Sequence, residues 1–219
     1  MSTVGKPSAM PAELAAVRAA LWQEVVRLHM KWKIFSELYG SKETVDLLNF
    51  GAQAYFGLSQ HVWADHIQLA IARLTDPLKS VGKDNLSLSR LLVHIDPADP
   101  AGLRDRVKVQ LDELETLCGP IRQRRSKLLA HSDLDTILGR SLVPLVPITK
   151  KTIDSAFEKI RGIMNEVERA YLDRTTLFEY AVDTDAQELL YCLRHAREYR
   201  RQQRIRSGLP ADPESQNEA

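Results

Sequence analysis

Apolar residues recur along this chain at the helical period through most of its length. From Pro11 onward Leu14, Val17, Leu21, Val25, Leu28, Trp32 and Phe35 follow at steps of three or four. That is the stripe of a long amphipathic helix, and it predicts a helix running to Tyr39, where Gly40-Ser41 supply a stop and the next N-cap. The aromatic positions keep the same period, so they read as core and not as a base-stacking platform. His29, Lys31 and Lys33 read as surface.

A second helical pattern runs from Lys42 to Asp76 through Val45, Leu48, Ala52, Phe56, Val62, Trp63, Leu69 and Leu74. Gly51 and Gly57 interrupt it and would permit a bend or a close helix crossing. Arg73 and Asp76 read as a helix-end salt-bridge network. Asp76-Pro77 ends the helix, Lys79 to Asn85 reads as a glycine-containing loop, and a short helix follows from Leu86 to His94. Asp96-Pro97-Ala98-Asp99-Pro100 is turn chemistry, with Pro100 opening a helix from Ala101 to Cys118. Leu103, Val107, Leu111, Leu114 and Leu117 face inward on it. Gly119-Pro120 then begins another helix. Gly139 to Pro147 is too rich in proline for a central strand and reads as an extended connector packed across the bundle. Ile153, Phe157, Ile160, Met164, Val167 and Tyr171 form the core face of a helix from Lys150 to Arg174. A last helix spans Asp183 to Arg206.

The pattern predicts an all-α fold, an antiparallel helical bundle with long N-terminal helices and a C-terminal helical extension. The expected division is a bundle over 11–180, a basic helix packed on it over 181–206, and a disordered tail over 207–219, where no apolar period survives. With 219 residues, 44% hydrophobic and 27% charged, the composition is that of an ordinary globular protein. A net charge of +1 excludes a global cationic field, so any nucleic-acid contact must come from local patches. Two cysteines, Cys118 and Cys192, are too few for a disulfide framework or a thiolate metal site. His61 and Asp65 lie at i and i+4 but lack a third ligand at helical spacing, so no metal and no cofactor is expected. No apolar run is long enough for a membrane span and Met1–Met10 lack the apolar core of a signal peptide, which predicts a cytoplasmic protein.

One stretch departs from this pattern. Arg122-Gln123-Arg124-Arg125-Ser126-Lys127-Leu128-Leu129-Ala130-His131-Ser132-Asp133 gathers four cations in six residues, then one histidine. Cations bind phosphate, and imidazole moves protons near neutral pH, so the combination suits phosphodiester chemistry. On a continuous helix of about 3.6 residues per turn, Arg124, Lys127 and His131 share a face, while Arg125 points about a third of a turn away. The competing reading is a solvated basic edge with a histidine that caps or packs. A second basic run, Arg194, Arg197, Arg201 and Arg204, aligns four guanidinium groups along the last helix. It suits a phosphate backbone, though cations at a helix C-terminus are favoured by the macrodipole in any case.

Arg125-Ser126-Lys127-Leu128-Leu129-Ala130-His131-Ser132-Asp133 resembles the Arg-polar-x4-His signature of the HEPN superfamily. It is similar in particular to the AbiU-type abortive-infection branch, with Ser126 where asparagine is usual. Ala70-Ile71-Ala72-Arg73-Leu74-Thr75-Asp76 and Leu86-Ser87-Leu88-Ser89-Arg90-Leu91-Leu92 resemble the first half of that branch. The likeness runs from about Leu14 to about Tyr180. It implies a helical bundle that pairs as a two-fold dimer, so that two copies of the motif share one cleft. It also implies a metal-independent endoribonuclease with Arg125 and His131 catalytic, serving phage defence or a toxin–antitoxin-like system with an antitoxin-like partner. On that expectation Arg124, Ser126, Lys127 and Asp133 position the strand or orient His131, and Arg124 is the alternative motif arginine. A catalytically silent RNA-, nucleotide- or partner-binding HEPN module is the alternative function.

Overall fold

The computed structural model describes residues 9–80, 82–97, 102–129, 133–141, 144–180 and 184–209. The expected all-α class is what the chain adopts: helices account for 77% of it, beside one two-stranded ladder. Two compact units are present, Met1–Met30 with Asp65–Ala181, and Lys31–Ala64 with Val182–Ala219. The first two helices contribute to both.

Helix α1 spans Ala12–Tyr39 and α2 spans Lys42–Leu74, within two residues of the boundaries that the apolar period predicts. Ser41 caps α2, its hydroxyl accepting from Thr44 N–H at 3.1 Å. In the first unit Leu14, Leu21, Val25 and Leu28 of α1 and Ile67, Ile71 and Ala72 of α2 are buried. The same unit holds helices α4 (Leu103–Leu117) and α7 (Lys150–Leu172), whose apolar faces are buried as well. Helices α4 and α7 pack directly on each other. Their pairing is antiparallel: Arg106 bonds Glu166 at 2.6 Å, Gly162 faces Gln110, and Lys159 bonds Glu113, so numbers fall along one helix as they rise along the other. Every predicted core residue of α7 is buried except Tyr171, which is half-buried. Each such aliphatic side chain removed from water contributes about 1.5–3 kcal/mol before entropy is charged against it.

His29 overturns the expectation of a surface residue. It is 6% exposed, edge-on to Phe157 at 4.6 Å and stacked on Phe178 at 5.7 Å. Burial, with help from Arg161, holds its pKa down at about 4, so the ring is neutral. Its position explains the error: it follows Leu28 and lies four residues after Val25, on the edge of the apolar stripe.

The segment after α2 also differs from expectation. Lys79–Ser80 (β1) and Lys83–Asp84 (β2) form a two-residue antiparallel hairpin, with Gly82 at φ 74° making the turn. Its strands are fully exposed and carry no apolar alternation, which is why the sequence reads as loop. Helix α3 is shorter than predicted, Arg90–His94. Pro100, expected to open α4, lies outside the described residues; Gly102, in the left-handed region, stands at the N-cap. In the connector before α7, Pro144, Val146 and Pro147 are exposed and Ser141 and Leu145 are half-buried, while Leu142 and Val143 lie outside the described residues.

The second unit is smaller. Its core is Leu38, Leu47, Leu48, Ala186 and Leu190, with Ile34, Tyr39, Phe56, Leu189 and Leu193 packed against it. Helix α8 spans Asp185–Arg206. The bend expected near Gly51 is real, since Ala52 leaves helical geometry at φ −162°, ψ 76°. The close crossing is real too: a Cβ on Gly51 would meet the Leu193 methyl at 2.8 Å. Ser207 to Leu209 close α8 with backbone bonds to Gln203, Arg204 and Ile205. Residues 210–219, the rest of the expected tail, lie outside the described residues. No helix among the described residues is long and apolar enough to cross a membrane.

Candidate active site around Arg125

Helix α5 (Gly119–Arg124) begins one residue after α4 ends, with Pro120 in its first turn and Ile121 fully buried beneath it. Within the described residues, the continuous α-helix expected from Gly119 gives way after Arg124. From Arg125 to Leu129 the backbone turns as a π-helix, and a separate short helix, α6 (Leu134–Ile137), follows. The shared face expected for Arg124, Lys127 and His131 rested on α-helical spacing, so that derivation lapses. Single π turns inside helices recur at functional sites, where they re-aim side chains. His131 lies outside the described residues with Ala130 and Ser132. Across that gap, Asp133 N–H donates to the Lys127 carbonyl at 2.9 Å.

Each of the four cations has an internal partner. Arg122 Nη2 donates to the Glu115 carbonyl at 2.9 Å, answering the carbonyl-rich end of α4. Arg124 Nη2 stands 3.8 Å from the Asp65 carboxylate, a loose and half-exposed pair. Lys127 Nζ lies 3.1 Å from Asp133 Oδ1. The closest pair is Arg125 with Asp76, whose Nη1 donates to Oδ1 at 2.6 Å and Oδ2 at 2.8 Å. Both side chains are partly buried, at 26% and 17% exposure.

Asp76 sits where α2 stops, and that stop is built firmly. Thr75 is buried, its hydroxyl donating back to the Ile71 and Ala72 carbonyls, and Leu88 N–H donates to the Leu74 carbonyl at 2.9 Å. Arg90 ties the hairpin to the same corner through the Leu78 carbonyl at 2.7 Å and Asp84 at 3.0 Å. The first upstream block therefore meets the basic stretch through Asp76, and the second is tied to the first through Leu88 and Leu74. Reading Asp76 as part of a helix-end ion pair was correct in kind, but sequence did not show that Arg125 is its partner. Arg73 is exposed.

Asp133 is engaged on both oxygens. Oδ2 accepts from Thr136 N–H at 3.1 Å and its hydroxyl at 2.6 Å, capping α6, while Oδ1 faces Lys127. The Thr136 and Lys127 bonds hold its pKa below the usual carboxylate range. The Asp-x-x-Thr spacing was a readable capping signal. Ser126 is exposed on the π turn.

The chain matches the HEPN AbiU2 family model over residues 12–189. The chain belongs to the HEPN AbiU2 family. No curated protein and no solved structure matches it. Membership makes it an abortive-infection-family HEPN protein, and the matched span takes in the Arg125 stretch, Asp76 and all of α7.

In this HEPN AbiU2 protein, the arginines of α8 lie in the second unit. Arg194 stands 3.4 Å from Glu43 and Arg201 3.5 Å from Glu198, both exposed pairs. Arg197 is exposed and Arg204 half-buried. Arg200 lies over the Phe50 ring at 4.9 Å. Among the described residues no group of three histidine, cysteine or carboxylate side chains is placed to hold a metal. His61 is exposed and Asp65 faces Arg124.

Proposed function

We propose that this protein is a metal-independent endoribonuclease acting in abortive infection or a toxin–antitoxin-like system. The ribose 2′-hydroxyl attacks the adjacent phosphorus, the 5′-oxygen leaves, and the products are a 2′,3′-cyclic phosphate and a free 5′-hydroxyl. His131 moves the proton as general base or acid, a role suited to an imidazole titrating near neutral pH. Arg125 holds the non-bridging oxygens as negative charge builds. Arg124 and Lys127 position the strand, and Asp133 or Ser126 orients His131 or the substrate.

The observation that carries this reading is the state of Arg125. On the resemblance it stands at the position of the motif arginine, and it is partly buried and bonded to both oxygens of Asp76 through Nη1. Arg124 has only a loose partner, which favours Arg125 over Arg124 as the phosphate-binding residue. The π turn at Arg125–Leu129 sits on the motif itself. Exposed Leu134, Ile137 and Leu138 follow it, and α6 lies against the π turn, an apolar surface suited to a second copy of the chain. Such a homodimer brings two motifs into one cleft. Arg194, Arg197, Arg201 and Arg204 supply a further RNA contact, and an antitoxin-like protein is the expected neutralising partner in the cytoplasm.

Incubating the protein with labelled RNA in EDTA, beside Arg125→Ala and His131→Ala, tests the proposal. Wild type alone is expected to cleave, leaving cyclic-phosphate ends. Folded wild type that binds RNA without cleaving it, across varied sequences, would favour the silent binding module.

A further inference from the structure

We infer that Asp76 is a positioning residue for Arg125, holding one edge of its guanidinium so that the other is presented to an RNA phosphate. This rests on the ribonuclease reading of the motif and extends it to a residue outside it. A guanidinium has two bidentate faces, and a carboxylate usually takes a whole face by bridging two different nitrogens. Asp76 does otherwise. Both of its oxygens accept from Nη1, at 2.6 and 2.8 Å. Nε and Nη2, the pair that forms the side-on fork, have no protein partner among the described residues. Those two N–H groups match the spacing of two non-bridging phosphate oxygens.

Asp76 is suited to this task by where it stands. It directly follows Thr75, whose hydroxyl is bonded to two carbonyls of the last α2 turn. The position is therefore anchored by buried backbone, and the Asp76 carboxylate is only 17% exposed. Arg125 comes from the π turn, on a different element, with flexible methylenes between its backbone and its charge. Without Asp76 that side chain would sample several rotamers, and each phosphate contact would first have to immobilise it. The carboxylate has a second consequence. It balances the arginine charge before RNA arrives, so a ground-state phosphate gains less from Arg125 than the more negative transition state does. Such an arrangement favours turnover over tight substrate binding.

The test is a double-mutant cycle on RNA cleavage with wild type, Asp76→Ala, Arg125→Ala and the double variant, using the full chain. Asp76→Ala is expected to lower kcat about 10- to 100-fold with KM changed far less, as misplacement of a catalytic group does. The double variant is expected to match Arg125→Ala, because a positioning residue has nothing left to position. Asp76→Asn keeps an acceptor for Nη1 without the charge, is the milder change to the fold, and is expected to fall between. Wild-type rates in Asp76→Ala and Asp76→Asn, or a loss in the double variant equal to the product of the single losses, would overturn the inference. The ribonuclease reading can fail separately. If wild type does not cleave, the same cycle is read as affinity for a 2′-O-methyl RNA, which cannot be cut. Equal, non-additive losses there keep Asp76 as the residue that aims Arg125, and additive losses or none reject it.

Discussion

Two arginine–carboxylate clusters in the larger unit use the same chemistry for opposite ends. Glu168 on α7 is fully buried, and both of its oxygens are taken by several donors: Arg18 at 2.7 Å, Thr176 at 2.6 Å, and Arg174 at 3.3 and 3.4 Å. Asn165 closes the same corner by bonding the backbone of Thr176 through its carbonyl and amide groups. Asp76 and Arg125 are partly exposed, and among the described residues the arginine is bonded through Nη1 alone. The Glu168 carboxylate is fully engaged and holds α1, α7 and the following loop together, while Arg18 gives it Nη1 alone and its Nε is buried without a partner among the described residues. The second leaves donors unspent beside a π turn. What separates the structural ion pair from the one poised for a ligand is access, since each arginine bonds its carboxylate through Nη1 alone but Arg18 Nε is buried and the Glu168 side chain has no exposure.

Glu168→Ala should break this comparison most visibly. It leaves Arg18, 16% exposed, without its buried counter-charge, which costs on the order of 3–5 kcal/mol. Thermal unfolding measures that directly. Asp76→Ala removes a partly exposed pair and is expected to cost only about 1 kcal/mol while the chemistry suffers far more. An equal loss of stability in the two variants would erase the distinction.

His29 sharpens the point from the other side, because its Nε2 is buried with no hydrogen-bond partner. Its pKa is about 4 folded against 6.5 in the open chain. Between those values the unfolded chain binds the proton and the folded one does not, so stability is full above pH 6.5 and declines as pH falls toward 4. The lost contribution is on the order of 3 kcal/mol at the lower limit. Chemical denaturation of wild type and His29→Leu across that range checks it, since the variant lacks this part of the slope.

Smaller effects are expected at the surface. Replacing Arg197 and Arg201 with glutamine should weaken RNA binding and reduce its log–log salt slope by about 1.4, or ~0.7 for each lost phosphate contact. An unchanged slope would remove α8 from the RNA surface. Asp133→Asn should matter least, because asparagine caps a helix about as well as aspartate, and Oδ2 is already committed to Thr136. Cleavage that falls as far as in His131→Ala would show that the Asp133 charge acts on His131.

Much of this was legible in the sequence where local rules and packing agree. Helix α1 is bounded by Pro11 and Gly40, its apolar period is unbroken, and both its ends fall where expected. Gly51 announced a bend and a close crossing: Ala52 leaves helical geometry beside it, and Leu193 leaves no room for a Cβ on Gly51. Other features had no local signature. Arg125-Ser126-Lys127-Leu128-Leu129 contains ordinary helix formers, so nothing in it announces a π turn. The contact with Asp76 spans 49 positions and arises only when the end of α2 meets α5. His29 misled because a polar residue on the margin of an apolar stripe is usually wet, whereas here two phenylalanine rings enclose it.

The unspent edge of Arg125 is the centre of this account, and side-chain NMR reads it most directly. The Arg125 Nε–H resonance, assigned by its loss in Arg125→Lys, is followed as 2′-O-methyl RNA is added, with Arg18 as the internal control. The expected result is a saturable shift at Arg125 and none at Arg18, whose Nε is buried away from any ligand. RNA binding that leaves the Arg125 resonance unmoved would contradict the account, because the phosphate would then be held elsewhere.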